Sequence, residues 1–129
     1  MTRKIIQTDN APAAIGPYSQ ANANGGFLFT AGQIPLDPVT MEVVGETAPE
    51  QARQALVNAR EVVKAGGLTL DDVVKVTVFI LDMGQFAAIN EVYQEFFGER
   101  PPARSVVEVS RLPKDVLVEI EMVAYGESN

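Results

Sequence analysis

The feature of the sequence that most constrains the fold is a short run of residues that predicts a strand with apolar side chains on both faces. This run, DDVVKVTVFIL at 71–81, is dense in β-branched residues and too short to favour a helix. Alternation gives one face Val74, Val76, Val78 and Ile80, and the other Val73, Lys75, Thr77, Phe79 and Leu81. Both faces of such a strand need cover, which predicts a central position in a sheet.

Helical periodicity appears twice, before and after this strand. Thr47 to Glu50 has the form of a capping box with proline in the first turn, and apolar residues follow at helical spacing until Gly66. A second helix is predicted from about Met83 to Phe97, with a similar box at Asp82. The chain therefore alternates strands with two helices.

The remaining segments predict further strands. Residues 4–8 and 20–31 are predicted strands, the second folding back at Asn24-Gly25-Gly26, and 32–45 is predicted as a loop with a short piece of strand at 42–44. Residues 104–110 and 116–125 are predicted to form a closing hairpin. This order predicts an α+β sandwich, a mixed β-sheet with two helices on one face, in a single domain spanning residues 1–129.

The last predicted strand also has a second face that is partly apolar and needs cover. One of its faces is apolar throughout, while the other carries Leu117, Glu119, Glu121, Val123 and Tyr125. Two helices cannot cover both sides of the sheet, and an exposed, half-apolar face of this size is typical of an interface. We therefore expect a homo-oligomer built on the second face.

The residue types that the chain lacks limit the reactions that it could catalyse. The chain has no Cys and no His, which excludes thiolate nucleophiles, disulfides, histidine bases and the usual zinc ligands, although a carboxylate Mg²⁺ site stays open. Its net charge is −7 without a basic patch, which argues against nucleic acid and anionic membranes as partners. With no signal-like or membrane-spanning apolar run, we expect a soluble cytoplasmic protein.

Charged residues inside the predicted hairpin are the main candidates for a site. If Val106 pairs with Glu119, Arg104 shares one sheet face with Glu119 and Glu121, whereas a slip of one residue separates them. The residues alone leave two interpretations open, an interface ion pair and a pocket for a small carboxylate. Weaker candidates are Tyr18 in a turn, Asn90 on the second helix and the backbone of Gly32.

Four motifs in order resemble the RidA/YjgF family of reactive-intermediate deaminases over nearly the whole chain. They are Ile15-Gly-Pro-Tyr-Ser-Gln20, Thr30-Ala-Gly-Gln-Ile-Pro35, Asn90-Glu-Val-Tyr93 with Phe96-Phe97, and Pro102-Ala-Arg-Ser105 with Val118-Glu-Ile-Glu121. The resemblance implies a chorismate-mutase-like fold, a homotrimer with pockets at the subunit interfaces, and no metal or organic cofactor. It also implies hydrolysis of 2-imino acids and 2-aminoacrylate-type enamines to 2-oxo acids and ammonia.

The resemblance further implies a role for each candidate residue. Arg104 would bind the substrate carboxylate and Glu119 would activate a water, with backbone contacts from Gly32 and Val106. Tyr18 and Asn90 would line the pocket, facing across a subunit boundary. Many bacterial relatives have Cys at the position of Val106, so a mechanism that needs this thiol is excluded here. The alternatives are a non-catalytic protein that binds small 2-oxo or imino carboxylates, and a ribonuclease.

Overall fold

The computed structural model describes residues 3–127, which form one mixed sheet and two helices. The elements in chain order are β1 Lys4–Ile6, β2 Ala21–Asn24, β3 Phe27–Thr30, α1 Ala48–Ala65, β4 Val73–Ile80, α2 Phe86–Phe97, β5 Ala103–Glu108 and β6 Val118–Tyr125. Single 3-10 turns precede β4 (Leu70–Asp72), α2 (Met83–Gln85) and β6 (Pro113–Asp115). The predicted α+β class and most of the predicted elements are confirmed.

The sheet has the spatial order β1-β2-β3-β6-β4-β5. All neighbouring strands are antiparallel except β4 and β5, which run parallel. The β2–β3 hairpin turns at Gly25 and Gly26, whose positive φ angles of 60° and 89° suit the tight turn that the sequence predicted. The sheet is therefore mixed, as expected.

The predicted closing hairpin is wrong, because β4 lies between β5 and β6. Parallel neighbours need a crossover connection, and α2 supplies it by carrying the chain from the end of β4 to the start of β5. β6 then pairs with the opposite edge of β4 and with β3. The apolar face of β6 is fully buried, because a central strand is covered more completely than a strand at the end of the sheet.

Both helices pack on one face of the sheet. Thr47 caps α1 through its side chain, which accepts from the Glu50 N–H, and the reciprocal Glu50 contact completes the predicted capping box. A helical stripe of α1 from Ala52 to Val63 is buried against the sheet. Ile89, Val92, Tyr93 and Phe97 of α2 join the same core. The sequence prediction of two helices on one face is confirmed.

The start of β4 departs from simple alternation. The register shifts between Val73 and Lys75, so Val73 is buried in the core while Val74 is 47% exposed. The sequence assignment of Val74 to the same face as Val76, with Val73 on the opposite face, is therefore wrong. A bulge places one extra residue in the strand and reverses the side-chain alternation before it, which the apolar pattern alone cannot show.

The second sheet face is uncovered and rich in aromatic side chains. Phe27, Phe29 and Tyr125 are 43%, 51% and 40% exposed, and the rings of Phe27 and Tyr125 lie 4.7 Å apart. Val107 of β5 is 40% exposed on the same face. Large apolar groups clustered in this way are typical of a surface that a partner covers. Within residues 3–127, neither helix is long and apolar enough to cross a membrane.

Candidate functional site

Arg104 lies on the helix-facing side of β5, where α2 holds its guanidinium. It pairs with Val76 of β4, whose side chain is buried under the helices. Its Nη1 donates to Asn90 Oδ1 at 2.7 Å. Its Cζ lies 4.6 Å from the ring centre of Tyr93 and 5.4 Å from that of Phe86. These four residues, Phe86, Asn90, Tyr93 and Arg104, are here called the arginine half-site.

Arg104 and Glu119 lie on opposite faces of the sheet within the chain, so the predicted shared face is wrong. The parallel register aligns Arg104 and Val106 with the buried Val76 and Val78, which places both β5 residues on the helix side. The prediction depended on a direct β5–β6 pairing, and β4 separates these strands. Ser105 and Val107 align with Thr77 and Phe79 and therefore lie on the opposite face of β5, away from the helices.

Glu119 lies on the other face of the sheet, against Gly32. It pairs with Phe79 of β4, and its carboxylate contacts the backbone at Gly32 so closely that a Cβ there would lie 2.8 Å from the Glu119 carboxyl carbon. Two backbone hydrogen bonds between Gln33 and Ile120, of 2.7 and 3.0 Å, fix this approach. The absence of a side chain at Gly32 therefore makes room for the carboxylate.

The environment of Glu119 disfavours its charged form. Burial raises the pKa of this carboxyl above its ordinary value, and the nearby negative charge of Glu121 raises it further. A carboxylate with a raised pKa is a better proton acceptor for a weak acid such as water than an ordinary surface glutamate. Glu121 therefore acts on Glu119 electrostatically.

Tyr18 lies on the loop that precedes β2 and faces the same cleft as Gly32. Both residues line one small cleft together with Ile15 and Gln33, and the Tyr18 side chain is half exposed. The buried Gln20 anchors this loop, since its amide donates to Pro12 O at 2.8 Å and its oxygen accepts from Thr8 N at 2.7 Å. Glu119, Gly32 and Tyr18 are here called the glutamate half-site.

The backbone groups of Gly32 and Val106 are available for a ligand. The N–H of Gly32 has no hydrogen-bond partner among residues 3–127. Directly after β5 the N–H of Val109 donates to Ile80 O at 2.8 Å, and alternate residues of an extended chain direct their backbone groups to the same side. The N–H and C=O of Val106 therefore point away from β4, toward the open edge of the sheet.

The sequence reasoning did not assign Phe86 and Tyr93 to the site. A signal was present, because Phe86, Asn90 and Tyr93 follow the i, i+4, i+7 spacing that lines up side chains on one helix face. Burial raises the pKa of Tyr93 to about 12, against a smaller opposing effect of Arg104. Its buried hydroxyl has no hydrogen-bond partner in the described part of the chain. Tyr93 is therefore not a base near neutral pH.

The arginine half-site contains a fixed cation, and the glutamate half-site contains a carboxyl group of raised pKa. Between residues 3 and 127, no group of three or more acidic side chains is placed to hold a metal ion. The chain is thus an α+β domain that carries a fixed guanidinium on one face of its sheet and a glutamate of raised pKa on the other.

Comparison with known proteins identifies the family. Residues 8–126 match the family model described as endoribonuclease L-PSP. The chain is 58% identical over 125 residues to a RutC family protein of Pyrococcus horikoshii. The alignment covers 97% of this chain and 99% of the relative. The chain is 52% identical over 124 residues to the 2-iminobutanoate/2-iminopropanoate deaminase of Escherichia coli, covering 94% and 96% of the two chains.

Solved structures agree with the sequence comparison. The crystal structure of E. coli TdcF with bound serine has a TM-score of 0.91 and 50% identity, and the match covers 96% of this chain and 99% of TdcF. The YjgF gene product of E. coli matches with the same TM-score, identity and coverage. The chain therefore belongs to the RidA/YjgF family, whose members also carry the names RutC and endoribonuclease L-PSP. The resemblance found in the sequence motifs is confirmed.

Proposed function

We propose that this protein hydrolyses short 2-imino acids, and their 2-aminoacrylate-type enamine tautomers, to 2-oxo acids and ammonia. The observation that carries the proposal is the Arg104 guanidinium, which α2 fixes while only its Nη1 is bonded among the described residues. The free N–H groups can donate two parallel bonds to a substrate carboxylate. The relatives named as imino acid deaminases support the same reaction class.

Glu119 would supply the proton transfers. It takes a proton from a water as the water oxygen bonds to the imine carbon, and it passes that proton to the imine nitrogen. In the resulting carbinolamine Glu119 takes the hydroxyl proton and delivers it to the nitrogen, so that the C–N bond breaks, a C=O bond forms and ammonia leaves. An enamine first gains a proton at carbon and loses one from nitrogen to become the imine. Tyr18 and the backbone of Gly32 and Val106 would hold the substrate between Arg104 and Glu119.

The separation of the half-sites supports assembly of each pocket from two subunits. Within one protomer the sheet lies between Arg104 and Glu119, while β5 and its half-site lie at an open sheet edge. A homotrimer in which the edge of one subunit meets the glutamate half-site of the next would form three pockets. Asn90 would then belong to one subunit and Tyr18 to the other. The exposed aromatic face supplies the apolar area for this contact.

The test couples the protein to a threonine dehydratase, a pyridoxal-phosphate enzyme, and follows decay of the imine that it releases. Wild type should accelerate 2-oxobutanoate formation, and Arg104→Ala should abolish the acceleration. Arg104→Lys should also be poor, since a point charge lacks the paired donors. Arg111→Ala is the matched control, because it removes an exposed arginine that pairs with Asp115 alone among residues 3–127. Equal rates with wild type and Arg104→Ala would overturn the assignment.

The same assay separates catalysis from simple binding. If the protein only binds small carboxylates, 2-oxo acids will bind in an Arg104-dependent manner while Glu119→Gln leaves imine turnover unchanged. The family name also raises ribonuclease activity, but a net charge of −7 and the absence of His disfavour RNA as a substrate. We expect no RNA binding at low salt. No cofactor or metal enters the proposed reaction.

A further inference from the structure

The arginine half-site contains two aromatic rings that the proposed reaction does not use. Phe86 and Tyr93 lie one turn before and one turn after Asn90 on α2. Their ring centres are 5.4 and 4.6 Å from Arg104 Cζ, within the range of a cation–π contact. The two rings and the Asn90 amide therefore contact the same guanidinium.

The rings differ in how they are held. Tyr93 is 5% exposed and its ring packs 4.7 Å from that of Phe97, so the core fixes it in place. Phe86 is 37% exposed at the start of α2. The closer, buried ring gives Arg104 a rigid contact, and the more exposed ring adds a second one. Partial burial strengthens such contacts because water competes less for the cation.

A free arginine side chain has many rotamers, and ordering it on substrate binding costs free energy. One hydrogen bond, which Arg104 Nη1 donates to Asn90 Oδ1, fixes only one end of the guanidinium and leaves rotation about that bond. Rings that contact the guanidinium remove this freedom before the substrate arrives. The remaining N–H groups then keep a constant direction at the open edge of β5.

We infer that Phe86 and Tyr93 are positioning residues that hold the Arg104 guanidinium ready to bind the substrate carboxylate. This inference rests on the proposed function and adds two residues to it. The ring of Tyr93 carries the effect, since its hydroxyl has no hydrogen-bond partner among residues 3–127. A ring without the hydroxyl should therefore serve equally well.

The kinetic test uses Tyr93→Leu, Tyr93→Phe and Phe86→Leu in the coupled imine assay. Tyr93→Leu should raise KM by about 5- to 10-fold, with a smaller change in kcat, which is the range expected for loss of a partly buried cation–π contact. Phe86→Leu should raise KM less, and Tyr93→Phe should behave as wild type. Phe96→Leu is the matched control, because this ring on the same helix lies under Arg60 instead, at 5.6 Å.

A second measurement separates positioning from general loss of structure. In NMR spectra of arginine-labelled protein, the Arg104 side-chain signal, assigned with Arg104→Lys, should show ring-current shifts in wild type and Tyr93→Phe. Tyr93→Leu should move it toward the position of an exposed arginine while other arginine signals stay unchanged. This readout needs no deaminase activity, so it supports the inference even if the proposed reaction fails.

Two results would overturn the inference while leaving the proposed function intact. One is that Tyr93→Leu and Phe86→Leu both retain deaminase activity and both have the KM of wild type. The other is an Arg104 signal that is the same with and without the Tyr93 ring.

Discussion

Arg104 and Glu119 project from opposite faces of one sheet, on the two strands that flank β4. A single protomer therefore does not bring them to one ligand. If the proposed pockets form between subunits, each requires Arg104 from one chain and Glu119 from another. Such a contact is heterologous, so three copies can close a ring with three equivalent pockets.

Mixing two inactive variants tests this arrangement. Arg104→Ala and Glu119→Gln should each be inactive alone, but refolding them together in equal amounts should restore about a quarter of wild-type activity, the share of pockets with both residues intact in a random heterologous ring. The measurement is the imine assay on the refolded mixture. Refolding each variant alone, at the same total concentration, is the control. Absence of any recovery, in a mixture shown to contain hybrid oligomers, would contradict pockets shared between subunits.

Asn90→Asp should weaken substrate binding although it barely changes the shape of the side chain. A carboxylate at this position would pair with Arg104 Nη1, now 2.7 Å from the Asn90 oxygen, and compete with the substrate for the guanidinium. We expect KM to rise by about 10-fold or more, since hydrogen bonds between charged groups are among the stronger ones. Gln94→Glu, one turn along α2, is a matched change of charge and should have a much smaller effect.

Local pattern predicted most of the elements but not their neighbours in the sheet. Thr47 and Glu50 marked the start of α1, and Gly25-Gly26 marked the β2–β3 turn, because caps and tight turns depend on a few adjacent residues. The pairing of β5 with β4 depends instead on how α2 crosses the sheet. That is a tertiary event, and no residue of β5 encodes it locally.

The error in strand pairing explains what was missed at the site. The candidates Arg104 and Glu119 were found from their chemistry, yet their faces followed from an assumed hairpin. The bulge at Val74 is a similar case, since the residues of a bulge look like any other part of a Val-rich strand. The contacts of Phe86 and Tyr93 with Arg104 became visible only when α2 and β5 were placed side by side.

The raised pKa of Glu119 predicts opposite effects on stability and activity. Below its ordinary pKa of 4.5 the carboxyl is protonated in both the folded and the unfolded chain. As pH rises through the raised pKa of the folded state, the folded protein loses the proton at a site that disfavours charge, and its stability falls. Glu119→Gln should therefore be more stable than wild type at pH 7, with the difference vanishing below pH 4.5.

The measurement is denaturant unfolding across this pH range, paired with the activity profile. Activity of wild type should fall on acidification with an apparent pKa above 4.5, because the deprotonated carboxylate is the base. Glu121→Gln removes the neighbouring negative charge and should move this limb to lower pH. An acid limb that Glu121→Gln leaves in place would contradict the electrostatic contact between the two glutamates.

Gly32→Ala should impair the site although it adds a single methyl group. The new Cβ would lie 2.8 Å from the Glu119 carboxyl carbon, so the carboxylate must move from its position beside the Gly32 backbone. We expect activity to fall by about 100-fold, as small misplacements of a catalytic group cost on this scale. Gly16→Ala is the control, because its Cβ would lie an ordinary 3.6 Å from the Tyr18 ring. Full activity in Gly32→Ala would show that Glu119 is not needed in its present place.

A charge placed on the exposed aromatic face should both prevent assembly of the proposed oligomer and abolish activity. Phe29 is 51% exposed on β3, on the face that we expect another copy to cover. Phe29→Glu would bury a carboxylate in that contact, at a cost of several kcal/mol. Sedimentation at micromolar concentration should show an oligomer for wild type and single chains for the variant, with the fold retained. Val39→Glu, at an 88% exposed loop position, should leave the mass unchanged, and a wild-type mass of one chain would rule out the proposed assembly.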